Sequence, residues 1–295
     1  MCNILFMFVT YFLVPNKYNE EKMVKIIAVA MPKGGVAKTT SAANLAIAFA
    51  NREKKTLLID ADPSNQCAIA FGLPDDPEIG TLFEVISYEK SCDEAINTTE
   101  NPYFDILPFK NISYEEQLLL NEFSNDANLF QHQILPYIKG YDYVLIDCPP
   151  TLVGMTANVL NIADSVLIPV RSSKFSIDPL PKIIKRIKKV ADNGNPNLHI
   201  EGIFLTMHEV NTRASFTAKK QLYQLYPNEM LTTAIPKNIA AEEASFKNDP
   251  VIIVAPNAKS SLAYKQLADE IIEKNISMHN DTFQSFSDTD YLNEL

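Results

Sequence analysis

Chemistry concentrates at Lys33-Gly34-Gly35-Val36-Ala37-Lys38-Thr39-Thr40. Glycines number only eight in 295 residues. Two of them stand side by side here, after an apolar run ending at Ala30 and before an Ala/Leu-rich helical pattern. A tight loop that opens a helix turns several backbone N–H groups onto one point, where the helix dipole also favours negative charge. The spacing therefore predicts a phosphate cradle. Lys38 would reach the outer phosphates of a bound nucleotide, and the Thr39 hydroxyl would hold magnesium. Two residues depart from the standard loop. Lys33, at the lip, is close enough to neutralise charge on a nucleotide held by a neighbouring subunit. Ala37 stands where the standard loop has glycine, with a Cβ that tolerates positive φ poorly.

Such a loop needs a buried strand behind it and a helix in front. Apolar runs of strand length alternate with longer helical patterns along the chain, which predicts an α/β fold, a doubly wound and mostly parallel sheet flanked by helices. Strands are expected over 25–30, 56–60, 104–108, 143–147, 165–170, 200–205 and 251–254, and helices over 39–51, 117–139, 151–161, 181–192, 213–226 and 261–274. No repeat is visible at a period that would indicate a solenoid. Residues 1–22 read as a dispensable extension, with Met23 as the working start. The apolar run 4–14 is too short to span a bilayer, lacks the flanks of a signal peptide, and would give only marginal attachment as an anchor. Residues 23–275 read as one domain, and 276–295 as a flexible acidic tail.

An apolar fraction of 46% with 21% charged residues is ordinary for a folded chain and excludes a disordered one. Four Cys and four His without ligand spacing argue against a disulfide framework or a zinc site. The net charge of −10, taken whole, speaks against nucleic acid. Charge is segregated, however. Residues 84–126 carry ten acidic and two basic side chains, whereas 171–190 carry seven basic ones against Asp178. Within 181–192, Ile183, Ile184, Ile187 and Val190 fall on one helical face and the Lys and Arg residues surround the other.

The loop 33–40 resembles the deviant Walker A box of the ParA family, whose partitioning ATPases segregate plasmids and chromosomes. Leu58-Ile59-Asp60-Ala61-Asp62-Pro63 resembles the family's second box. Tyr143-Val144-Leu145-Ile146-Asp147-Cys148-Pro149-Pro150 resembles its Walker B and switch II segment, and Ala163 to Val170 the strand that follows. Ile235-Pro236-Lys237-Asn238, Glu243-Ala244 and Pro250-Val251-Ile252 resemble the nucleotide-base loop and last strand. The resemblance extends over residues 24–274 and implies a P-loop ATPase with ATP and Mg2+ as cofactors. It implies nucleotide contacts from Lys33, Gly34, Gly35, Val36, Ala37, Lys38, Thr39 and Thr40, with Pro236 and Asn238 flanking the adenine. Asp62 would orient the attacking water, Asp147 would act on magnesium through a water, and Thr39, Asp62 and Asp147 would surround the metal. Lys33 would cross into the partner's site of an ATP-sandwich homodimer, joining Lys38, Asp62 and Asp147 in catalysis.

The same resemblance implies that the ATP dimer binds DNA without sequence preference. Arg213 matches a basic position implicated there, with Lys185, Lys189, Lys219 and Lys237 as further candidates. A ParB-like centromere-binding partner would stimulate a weak ATPase that is cytoplasmic and nucleoid-associated, without stable membrane insertion. The alternative is a MinD-like membrane-cycling ATPase. Gln66 stands near where the family usually has Asn. Ala240 and Ala241 lie where many relatives have a basic residue and Leu, so one DNA contact of the family is expected to be absent.

Overall fold

The computed structural model describes residues 24–172 and 177–292, with side chains as far as residue 277. The extension expected over 1–22, and Lys174 of the basic segment, lie outside the described residues. Among the described residues, eight strands form one sheet in the order β3-β4-β2-β5-β1-β6-β7-β8. They are β1 (Lys25–Val29), β2 (Thr56–Asp60), β3 (Asn97–Thr98), β4 (Phe104–Leu107), β5 (Tyr143–Asp147), β6 (Ser165–Arg171), β7 (His199–His208) and β8 (Met230–Pro236). All pairings are parallel except the short β3–β4 edge. Central strands β1, β2 and β5 are apolar at nearly every position because helices cover both sheet faces. Val29 and Asp60 both pair with Asp147, so these three strands end level along one sheet edge.

On one face lies α1 (Lys38–Ala50), whose small side chains let it sit close to the sheet. It is buried almost all round, between the strands and α12 (Lys259–Leu292), and Phe49 stacks on Tyr143 at 4.3 Å. The other face is covered by α3 (Leu82–Ile86), α5 (Tyr114–Phe123), α6 (Leu129–Gln133), α7 (Met155–Ile162) and α8 (Leu180–Asn193). Helices α2 (Gln66–Ala70), α4 (Cys92–Ala95), α9 (Arg213–Leu225), α10 (Ile239–Phe246) and α11 (Val251–Val254) are the remaining α-helices among the described residues.

Three expectations are corrected. Residues 251–254 form helix α11 rather than a strand. Pro250 precedes its first turn, and the Asn44 side chain accepts from Ile252 N–H at 3.0 Å, tying the segment to α1. The edge position belongs to β8, where Glu270 of α12 accepts from the N–H groups of Thr232 and Thr233 at 2.6 and 3.0 Å. The single helix expected over 117–139 is broken. Ser113 and Glu116 form a capping box that starts α5 early, and the chain leaves the helix after Phe123 before α6 and a 3₁₀ turn at Leu135–Tyr137. The helix expected from 151 begins at Met155, because Gly154 holds φ 60° at its N-cap. The backbone of α12 runs as helix to Leu292.

Candidate functional site

Strand β1 delivers the chain to residues 30–37, and the loop closes on α1 through a left-handed residue at its N-cap. That residue is Ala37, at φ 64° and ψ 38°, with Gly35 also at φ 70°. The conformation that glycine would adopt freely is thus held here by an L-residue, which is strained backbone at the place where backbone N–H groups must converge. Val36 is buried and its carbonyl accepts from Thr206 Oγ1 at 3.1 Å, so the loop is anchored on β7. Apart from the adjoining residues, no heavy atom lies within 4 Å of the positions a Cβ would take at Gly34 and Gly35, so the space beside both is open.

Three side chains meet at the mouth of α1. Lys38 is 8% exposed and its Nζ donates to Lys33 O at 3.3 Å. Thr39 Oγ1 donates to Asp147 Oδ2 at 2.5 Å. Asp147 ends β5 fully buried, and its Oδ1 has no partner. Burial pushes the Asp147 carboxyl up to about 7, with the Thr39 hydroxyl and the Lys38 ammonium pulling the other way. A buried carboxylate oxygen left unpaired beside a threonine hydroxyl is a hard-oxygen donor set, and it fits Mg2+ better than a soft metal.

Asp60 closes the cluster from β2. Its two oxygens accept from Asp62 N–H at 3.0 Å and Cys67 N–H at 2.9 Å, so one buried carboxylate ties both ends of the intervening loop. Burial first, and the charge of Asp147 second, hold Asp60 well above the usual carboxylate range. Cys67 Sγ lies 3.8 Å from Asp147 Oδ2, and burial raises its thiol. Asp62 stands clear of the buried cluster, its Oδ1 accepting from Ser64 N–H at 3.0 Å.

A cavity of about 420 Å3 opens over this arrangement, lined on one side by Gly34, Gly35, Lys38, Thr39, Thr40 and Asp62. Its far wall is built from α10 and the segment leading into α11, with Ala244, Ser245, Asp249 and Pro250. Gly34, Gly35, Ala37, Lys38, Thr39, Thr40 and Asp62 thus line one opening, with Asp147 buried behind it on Thr39, whereas Lys33 and the buried Val36 are not among the lining residues. Pro236 and Asn238 are not among the residues that line it. Asn238 Oδ1 instead accepts from Ala240 N–H at 2.8 Å and caps α10. Sequence reasoning missed Asn44, which is 1% exposed, lines the cavity and bridges Thr40 O at 2.8 Å to α11. A lone Asn in an Ala-rich buried helix was the available signal, since such a group must find partners.

The basic candidates are spread over two helices and a loop. Lys185 and Lys189 are exposed on α8, and Arg213 is exposed at the start of α9. Lys219 is half-buried, with its Nζ 5.7 Å from the centre of the Tyr223 ring, and Lys237 pairs with Glu209 at 3.1 Å. Among the described residues, no helix is long and apolar enough to cross a membrane.

Comparison with known proteins bears on the family and the fold. A family model described as an AAA domain matches residues 24–200. The chromosome partitioning protein ParA of Myxococcus xanthus is 30% identical over 251 residues, 85% of this chain and 88% of that protein. The cell division ATPase MinD of Pyrococcus furiosus superposes with a TM-score of 0.71 at 25% identity, covering 85% of this chain and 99% of that one. Cobyrinic acid a,c-diamide synthase of Mycobacterium smegmatis, solved with an ATP analog and magnesium, has the same fold, with a TM-score of 0.71 at 24% identity over 84% of this chain and 93% of that one.

Proposed function

The chain belongs to the ParA family of partitioning ATPases within the ParA/MinD superfamily, and from that membership we propose that it binds ATP with Mg2+, dimerises around the nucleotide and hydrolyses it slowly to drive DNA segregation. The observation that carries this reading is the convergence of Lys38, Thr39 and the unpaired oxygen of Asp147 at the open end of α1. Backbone N–H groups of 34–39 donate to the phosphates, and the Lys38 ammonium neutralises them. Thr39 and Asp147, with Asp62 on the cavity wall, would hold Mg2+, which when bound offsets charge on the transferring phosphoryl group. Asp62 orients water for attack, and Asp60 keeps its loop in place. Phosphoryl transfer depends on such positioning more than on covalent chemistry.

Lys33, at the lip of the loop, reaches the phosphates of the partner protomer, so ATP binding and dimerisation are one event. The dimer binds DNA without sequence preference through Arg213 and the exposed face of α8 that carries Lys185. A ParB-like DNA-binding partner accelerates hydrolysis and release, in the cytoplasm on the nucleoid. The test is sedimentation and duplex DNA binding of the full chain with ADP or ATP. Dimers that form only with ATP, and DNA affinity that falls steeply with salt as counterions are released, are the expected result. A monomer in ATP that binds DNA regardless of salt overturns the reading.

A further inference from the structure

Helix α5 buries one side chain of its ten, Leu120. A helix on a covered sheet normally turns its apolar residues to the core, yet Tyr114, Leu118 and Leu119 remain 74%, 53% and 43% exposed. At about 100° per residue, Tyr114, Leu118, Glu122, Glu115 and Leu119 fall in that order within one arc centred opposite Leu120. Phe123 borders the arc and meets the exposed Tyr88 ring edge-on at 6.4 Å between centroids, which extends the apolar surface to the turn after α3. Charge on this face has one sign. Residues 84–126 hold ten acidic side chains and two basic ones, and both basic ones are consumed internally. Lys90 pairs with Glu84 at 2.9 Å, and Lys110 with Glu116 at 2.7 Å. Among the described residues neither Glu115 nor Glu122 forms an ion pair.

We propose that this face of α5 docks a basic amphipathic helix of a partner protein, whose apolar stripe covers Tyr114, Leu118 and Leu119 while its Lys or Arg side chains pair with Glu115 and Glu122. Two features select that occupant. Tyr114 and Leu118 stand one turn apart, as do Glu115 and Leu119, and a facing helix presents its own side chains at the same pitch. The interleaved carboxylates call for cations beside the stripe, and they repel the phosphates of DNA and the headgroups of an anionic bilayer. A second copy of this chain does not supply the pair from its basic helix, because α8 turns Ile183, Ile187 and Val190 into its own core and presents cations without an apolar stripe. From Tyr114 to Glu122 the helix rises about 12 Å, enough to seat about two turns of a partner. The assignment does not depend on what the nucleotide cavity binds.

The experiment measures fluorescence anisotropy of a fluorescein-labelled peptide of Leu and Lys, about five helical turns long with the leucines on one face, with the full chain as titrant. Saturable binding is expected, weakened about tenfold by Leu118→Gln, as for loss of an apolar anchor. Glu115→Gln and Glu122→Gln together should weaken it about fivefold, the sum of two exposed ion pairs. Leu262→Gln on α12 and Glu243→Gln on α10, exposed on helices that pack against the opposite sheet face, should each change it less than about twofold. A peptide of the same composition with its leucines spread around the helix should bind about tenfold more weakly, and that arm requires no variant to fold. The proposal is overturned by absence of saturable binding, by equal effects of Leu118→Gln and Leu262→Gln, or by indifference to the glutamate pair or to the order of the peptide. It is overturned equally if the nucleotide-free chain self-associates in sedimentation, or binds phosphatidylcholine vesicles, in a manner that Leu118→Gln abolishes.

Discussion

Asp147→Asn should stabilise the nucleotide-free, metal-free protein at neutral pH and remove much of its pH dependence. Burial holds the Asp147 carboxyl near 7 against an ordinary 3.8, so between these values the folded state keeps a proton that the unfolded chain releases. Stability contributed by the protonated group is present below the unfolded value and is lost as pH rises through the folded one. A displacement of about three units at about 1.4 kcal/mol each sets the loss at roughly 4 kcal/mol between pH 4 and pH 8. Asn keeps the acceptor for Thr39 Oγ1 and never ionises, so the variant lacks this loss. It also relieves Asp60, whose proton is held partly by the charge of Asp147. The assay is urea unfolding of EDTA-treated protein at intervals from pH 4 to pH 8. Wild type and variant should diverge progressively from about pH 4 to about pH 7, with the variant more stable. Superimposable curves, or a variant less stable at pH 8, would refute the assignment of Asp147 as a buried carboxyl whose ionisation is costly until a cation arrives.

Lys33→Ala should retain ATP binding in the monomer by calorimetry while losing the ATP-dependent dimer in sedimentation; an unaltered dimer removes Lys33 from the interface. Asp62→Ala should bind ATP normally, accumulate the ATP-bound dimer and turn over about a hundredfold more slowly, the order of loss when an attacking group is mispositioned; normal turnover in a phosphate-release assay counts against the role. Gly80→Ala would set a Cβ 2.4 Å from Ala95 Cα and O, backbone that cannot rotate away. It should cost about 2 kcal/mol in urea unfolding, and an unchanged midpoint would show that the α3–α4 region yields freely.

The central strands were legible because both faces of the sheet are covered: Leu57, Leu58 and Ile59, or Val144, Leu145 and Ile146, give unbroken apolar runs. The same criterion failed at the edges. Strand β8 carries the half-exposed pair Thr232 and Thr233 and ends at Pro236, so it lacks the apolar run of a covered strand. Val251 to Val254 has that run, but four apolar residues after a proline fit a buried helical turn equally well, and the choice is made by Asn44, over two hundred positions upstream. The loop itself was readable because its backbone geometry is local. Thr39 meeting Asp147, at 108 positions apart, came only through resemblance to a known family, as no periodicity encodes which strand ends share an edge. Asn238, matched to a base contact by resemblance, also caps its own helix through Oδ1.

The central claim is that Lys38, Thr39 and Asp147 form a Mg2+–ATP site. Its most direct test is isothermal calorimetry of ATP with Mg2+ on the wild-type chain and on Lys38→Ala, with phosphate release followed in parallel. Saturable binding and slow turnover in the wild type, both absent in Lys38→Ala, is the predicted result. A wild-type chain that takes up no nucleotide, or a Lys38→Ala chain that binds and hydrolyses ATP as well as wild type, contradicts it.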